Sequence, residues 1–179
     1  MTTDPKDSRP PVTDEQVMEV ARSAFQHARS GNAETLTALL DAGLPVNLCN
    51  ERGDTLLMLA SYHGHPDATR VLLDHKADPE RPNDRGQTPL AGCAFKGDVT
   101  MIRLLLDHGT QVDGTGPDGK TALMFAAMFD KVDVLEELLA RGAEPAHQDK
   151  DKRTALDYAR AMGAQRAAQR LEALSIPLG

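Results

Sequence analysis

The stretch GQTPLAGCAFKGD, residues 86–98, decides how the rest of the chain is read. Gly86 can take a positive φ without steric cost, which suits a tight turn. Two residues on, Thr88 offers a hydroxyl to an orphan backbone N–H, and Pro89 fits the first helical position, where its missing N–H costs nothing. The pattern predicts a short helix over residues 88–96, stopped by Gly97 in a left-handed conformation. Val99, Ile102, Leu105 and Leu106 then recur at helical spacing and predict a second helix over 98–108. Phe95 stands two residues before the stop, in a chain with four Phe, two Tyr and no Trp.

Outward from this stretch the same residues return every 33 positions. Gly53, Gly86 and Gly119 share a register, followed by Thr55, Thr88, Thr121 and Thr154, then by Leu57, Leu90, Leu123 and Leu156. Gly31, Gly64, Gly97 and Gly163 keep the step and miss only at Asp130. Paired leucines at 39–40, 72–73, 105–106 and 138–139 keep it too, and Gly43, Gly109 and Gly142 close the second helices. The polar, turn-rich residues 110–118 read as an extended hairpin loop.

With these motifs in place the units resemble ankyrin repeats, whose pattern runs from a turn glycine through T-P-L-H-x-A-A and a stopping glycine to a second helix ending in L-L-x-x-G-A. Gly86-x-Thr88-Pro89-Leu90 with Gly97, and Gly119-x-Thr121-Ala122-Leu123-x-x-Ala126-Ala127, carry the resemblance. The family's histidine is replaced by Met58, Ala91, Met124 and Asp157, and its proline survives only at Pro89. The resemblance implies an all-α ankyrin-repeat solenoid of about five stacked helix-turn-helix repeats with connecting hairpin loops. Residues 13–175 are expected to form one domain, with a cap at 13–49, repeats at 50–82, 83–115 and 116–148, and a C-terminal cap repeat at 149–175. Thr13 and Gln16 form a capping box for a first helix whose expected inward face holds Val17, Val20, Ala21, Ala24 and Phe25. The last helix is expected to turn Ala167, Leu171 and Leu174 inward. Residues 1–12, with three prolines, are expected to form a disordered tail.

At 179 residues and 40% apolar composition the chain can bury roughly 70% of its unfolded surface, enough for one domain. A net charge of −7 opposes nucleic-acid and anionic-membrane partners, so any basic site must be local. Neither a secretion signal nor an apolar run of about 18 residues is found, which leads us to expect a cytoplasmic protein without a membrane span. Cys49 and Cys93 have no metal-ligand spacing; Cys93 shares a small-residue slot with Ala60, Ala126 and Ala159 and reads as buried and inert. Catalytic residues, cofactors and metals are not expected. The alternative reading is a small-ligand or metal-dependent enzyme site in the groove around His63 and His65, but these imidazoles straddle a sharp turn and have no predictable third ligand. His75 and His108 share a register at helix C-termini, where a positive charge complements the dipole.

The family resemblance implies that partners are met at the ends of the first helices and beside the turn glycines. By register one lane holds Arg29, Tyr62, Phe95, Met128 and Ala161, and the next Ser30, His63, Lys96, Phe129 and Met162. Tyr62, Phe95 and Met128 are expected to form an apolar strip, flanked by Arg52, Arg85 and Lys96. Aromatic, Met and Arg anchors are the composition of a protein interface. The expected function is a non-catalytic interaction module binding an intracellular protein through Tyr62, His63, Phe95, Lys96, Met128, Phe129, Arg52 and Arg85. The module is expected to be a monomer, with a weak homodimer through the same strip as the alternative.

Overall fold

The computed structural model describes residues 13–174; the expected tail over 1–12, and residue 175, lie outside them. Threonine caps set the register of the first helices. Thr55, Thr88, Thr121 and Thr154 are each extended, and each hydroxyl accepts a bond from the N–H three residues on. The helices so started are α3 (Leu56–Tyr62), α5 (Pro89–Lys96), α7 (Ala122–Met128) and α9 (Ala155–Met162). Each first helix is followed by a second: α4 (Pro66–Asp74), α6 (Val99–Asp107), α8 (Val132–Ala140) and α10 (Gln165–Leu174). Ahead of them come α1 (Asp14–Ser30), opened by the Thr13–Gln16 capping box, and α2 (Ala33–Asp41), capped by Asn32.

The odd-numbered helices pack on one another in chain order, the even-numbered helices do the same, and each pair touches the pairs beside it. The result is the two-layered solenoid that the family resemblance implies. Leu57, Leu90 and Leu123, one per rung, are at most 1% exposed, and Leu72, Ile102, Leu105, Leu135 and Leu138 close the core from the second layer. A fully buried leucine contributes about 2 kcal/mol, so the layered leucines supply much of the cohesion between rungs. Met58, Ala91 and Met124, at the position of the family's histidine, are buried apolar contacts instead.

Each of three loops is pinned internally by a residue whose register was not legible at the outset. Asn50 Oδ1 accepts the N–H groups of Arg52 and Asp54, Asn83 Oδ1 those of Arg85 and Gln87, and Asp149 Oδ1 those of Asp151 and Arg153. Neighbouring loops are then linked by Asp84 N donating to the Arg52 carbonyl and Lys150 N to the Asp118 carbonyl. This holds the arginines beside Gly53 and Gly86 in line.

Two terminal expectations are corrected. Val17 and Val20, expected inside, are 55% and 41% exposed, as is Met18 at 55%; only Ala24 and Ala28 of α1 are buried. The reason is length. The 17 residues of α1 run about 25 Å, whereas its neighbours α2 and α3 have 9 and 7 residues, so its first two turns extend past those helices. At the other end Ala167 and Leu171 are buried but Leu174, the final residue of α10, is 41% exposed.

Candidate protein-binding surface

The ends of α1 and α3 and the loop tips beside them border a cleft, and the file of rings that starts at Tyr62 extends from it along α5 and α7 as one trough. Tyr62 ends α3, Phe95 lies one residue before the end of α5, and Phe129 is the C-cap of α7. Three rings from three consecutive rungs therefore meet. Tyr62 and Phe95 stack with centroids 6.4 Å apart and planes 14° from parallel; Phe95 meets Phe129 edge-on at 4.7 Å and 81°. The edge-on contact directs a positive ring edge at a negative face, the preferred arrangement for aromatic pairs. Phe129 is 39% exposed, and Tyr62 and Phe95 are half-buried.

The third member of the file is not the one expected by register. Met128, in the lane of Tyr62 and Phe95, packs against the hydrophobic core, and Phe129 from the adjacent lane completes the file. The physical reason is the side chain: Phe129 stands where other rungs carry His63 and Lys96, while the backbone there matches that at His63, a non-helical cap with a left-handed residue after it.

Opposite the Tyr62 ring lies Gly92, in register with Leu59, Phe125 and Tyr158. A Cβ on Gly92 would stand 3.4 Å from both the Tyr62 ring and the Met58 sulfur, so the missing side chain lets the tyrosine settle close to α5. The Lys96 ammonium lies over the Tyr62 ring, 5.1 Å from its centroid, a cation–π contact at an exposed site.

Arg29, Arg52 and Arg85 line a cleft with Met58, Leu59, Tyr62 and His63. Among the described residues these guanidiniums form no ion pair with a carboxylate. His63 meets Tyr62 edge-on at 5.6 Å. Partial desolvation, then the charges of His65, Lys96 and Arg29, hold its imidazole below its usual value, which leaves it neutral at pH 7.

His65 has a different task. Its Nε2 lies 2.7 Å from the Arg29 carbonyl, across the interface between rungs, and it caps α4 without any side-chain bond to that helix. Its ring therefore ties α1 to the second rung and fixes Arg29 in the trough, while no group of three His, Cys, Asp or Glu suited to a metal occurs among the described residues. Cys93 is fully buried, and burial pushes its thiol up to about 12.

Two features of this surface escaped the sequence. A second cleft of about 660 Å³ lies between α1 and the first loop, lined by Met18, Phe25, Arg29, Leu48, Cys49 and Arg52. Because Arg29 and Arg52 line both clefts, the trough continues onto α1. Met18, which lay outside the expected inward face of α1, is 55% exposed at this cleft. On the even-numbered layer a ladder joins the rungs: His75 Nε2 to Asp41 at 3.1 Å, His108 Nε2 to Asp74 at 3.9 Å, and Arg141 to Asp107 at 2.7 Å. The signal was present in the sequence as an aspartate 34 residues before each cation.

Among the described residues no helix is long and apolar enough to cross a membrane. Comparison with known proteins bears on the architecture. A family model for ankyrin repeats in three copies matches residues 24–115 and 109–173. An ankyrin repeat protein of Pseudomonas aeruginosa is 53% identical over 65 residues, 36% of this chain and 38% of the relative. The human ankyrin repeat domain-containing protein 29 is 43% identical over 60 residues, 33% of this chain and 20% of the relative. Each match therefore spans well under half the length of the curated relative.

Proposed function

Since the chain belongs to the ankyrin-repeat family, we propose that it is a non-catalytic module holding a segment of a partner protein in the trough over Tyr62, Phe95 and Phe129. Ankyrin repeat domains generally mediate protein–protein interaction and are generally non-catalytic. The observation that carries the proposal is the unbroken file of rings across three rungs. Aromatic side chains lose little entropy on docking and bury much area, which is why they dominate interface energetics. In this reading Phe95 is the central anchor, Met128 supports it from the core side, His63 offers a neutral polar edge, and Arg52, Arg85 and Lys96 form the rim.

The test is affinity capture from native lysate with the wild-type chain and a Tyr62→Ala/Phe95→Ala double variant. The expected result is a protein retained by the wild type and lost by the variant, with affinity at least tenfold lower, about 1.4 kcal/mol. A partner retained equally by both, with the variant folded by circular dichroism, refutes the assignment of the trough.

A further inference from the structure

The trough gathers cations that no carboxylate holds among the described residues. Four cations line it: Arg29, Arg52, Arg85 and Lys96. The carboxylates nearby are engaged within the fold. Asp54 is 7% exposed and accepts from Asn50 and Asn83, Asp98 caps α6 through Met101 N, Asp118 pairs with Lys120, and Asp130 accepts from Ala167 N. Asp54, Asp98 and Asp130 accept from neutral N–H donors, which offset no charge, and Glu51 and Asp84 stand exposed at the loop tips. What distinguishes the trough is therefore four cations that form no ion pair among the described residues.

Away from the trough, four arginines of the later rungs are joined to carboxylates, whereas Arg81 and Arg153 meet a carbonyl, a sulfur and a ring. Arg103 pairs with Glu137, Arg141 with Asp107 and Glu137, Arg160 with Glu172 and Arg170 with Glu136. Guanidiniums grouped beside an apolar file, with no ion pair among the described residues, offer a complementary partner its charged contacts.

On these grounds, and resting on the protein-binding reading above, we propose that the occupant of the trough is an acidic peptide segment in which carboxylates alternate with large apolar side chains. The apolar residues cover Phe25, Tyr62, Phe95 and Phe129, and the carboxylates meet Arg29, Arg52, Arg85 and Lys96. From α1 to α7 the trough crosses three helix spacings of roughly 10 Å, about 30 Å in all. An extended chain covers that length in about nine residues, with alternate side chains facing the trough.

A polyanionic nucleic acid fits less well. The chain's net charge repels a long polyanion. The ring faces that would stack bases are also occupied, Tyr62 by Phe95 and Lys96, and Phe95 by Tyr62 and Phe129.

The experiment uses fluorescein-labelled peptides about ten residues long, alternating Glu with Leu and Phe, beside a Gln-for-Glu counterpart, a Lys-for-Glu counterpart and a ten-nucleotide oligothymidylate. Binding to the full chain is read by anisotropy at low and moderate salt. The expected result is that the Glu peptide binds at least tenfold more tightly than the Gln peptide and weakens as salt rises. An Arg29→Gln/Arg52→Gln/Arg85→Gln variant, with an unchanged melting curve, abolishes that difference. Equal binding of the Glu and Gln peptides, lost in the Phe95→Ala variant, overturns the acidic preference and leaves the protein-binding reading standing. Tighter binding of the Lys peptide or the oligothymidylate, or no binding of any probe, also overturns it, while the lysate capture separately decides the broader reading.

Discussion

Three residues hold a left-handed backbone where other rungs use glycine, and they should not respond alike to replacement. Lys76 (φ 66°) stands in the slot of Gly43, Gly109 and Gly142; Lys152 (φ 59°) in that of Gly53, Gly86 and Gly119; Asp130 (φ 52°) in that of Gly31, Gly64, Gly97 and Gly163. For a residue with a Cβ this conformation costs roughly 1–2 kcal/mol. Glycine removes the clash but loses more backbone entropy on folding, roughly 0.5–1 kcal/mol. Lys76→Gly and Lys152→Gly should therefore each stabilise by about 0.5–1 kcal/mol, raising the melting temperature by about 1–4 °C. Asp130 differs because its Oδ1 accepts a 2.8 Å bond from Ala167 N, in the first turn of α10. Losing that cap costs about 1 kcal/mol, and aspartate tolerates the left-handed region better than lysine, so Asp130→Gly should be neutral to destabilising by about 1 kcal/mol. Thermal and urea melts followed by circular dichroism measure all three. The reasoning is refuted if Asp130→Gly proves as stabilising as the two lysine replacements.

Gly92→Ala should stabilise by up to about 1 kcal/mol, because alanine is the better helix former and its Cβ meets Tyr62 and Met58 at an ordinary 3.4 Å; a urea midpoint that falls would show that the ring cannot yield. The His75 imidazole is held above its usual value by the hydrogen bond to Asp41, then by that to the Val71 carbonyl; donating from both ring nitrogens requires the cation. Its contribution is present in full below about pH 6.5 and is lost as pH rises through the raised folded value. The melting-temperature difference between wild type and His75→Gln should therefore shrink from pH 6 to pH 8 by the equivalent of under about 1 kcal/mol, and a constant difference would contradict the ion-pair reading.

The fold was legible because each rung repeats the same mechanical devices: a turn glycine, a threonine cap, a leucine, a stopping glycine. A period of 33 residues makes even the misses informative, since Asp130 and Lys152 keep the backbone of the glycines they replace. The trough was legible as lanes, but not as contacts. Register placed Met128 beside Phe95; a phenylalanine in the adjacent lane, where other rungs carry His63 and Lys96, puts the third ring there instead. The face of α1 was misread for a related reason, because helical periodicity shows which residues share a side and not whether the neighbouring helices are long enough to cover it. The ladder from Asp41 to Arg141 lay at a spacing of 34 residues, one step off the repeat, and charged residues at helix ends are easily read singly as dipole partners.

The arrangement in which each helix pair leans on the pairs beside it has a mechanical consequence. Pulled by its two ends, such a body has no long-range strap to share the load. Detachment of one rung releases a stretch of 33 residues, a gain in contour of about 110 Å. Under tension the protein therefore behaves as a soft spring that yields in equal increments, and a tether attached at either end feels a graded give in place of a single rupture.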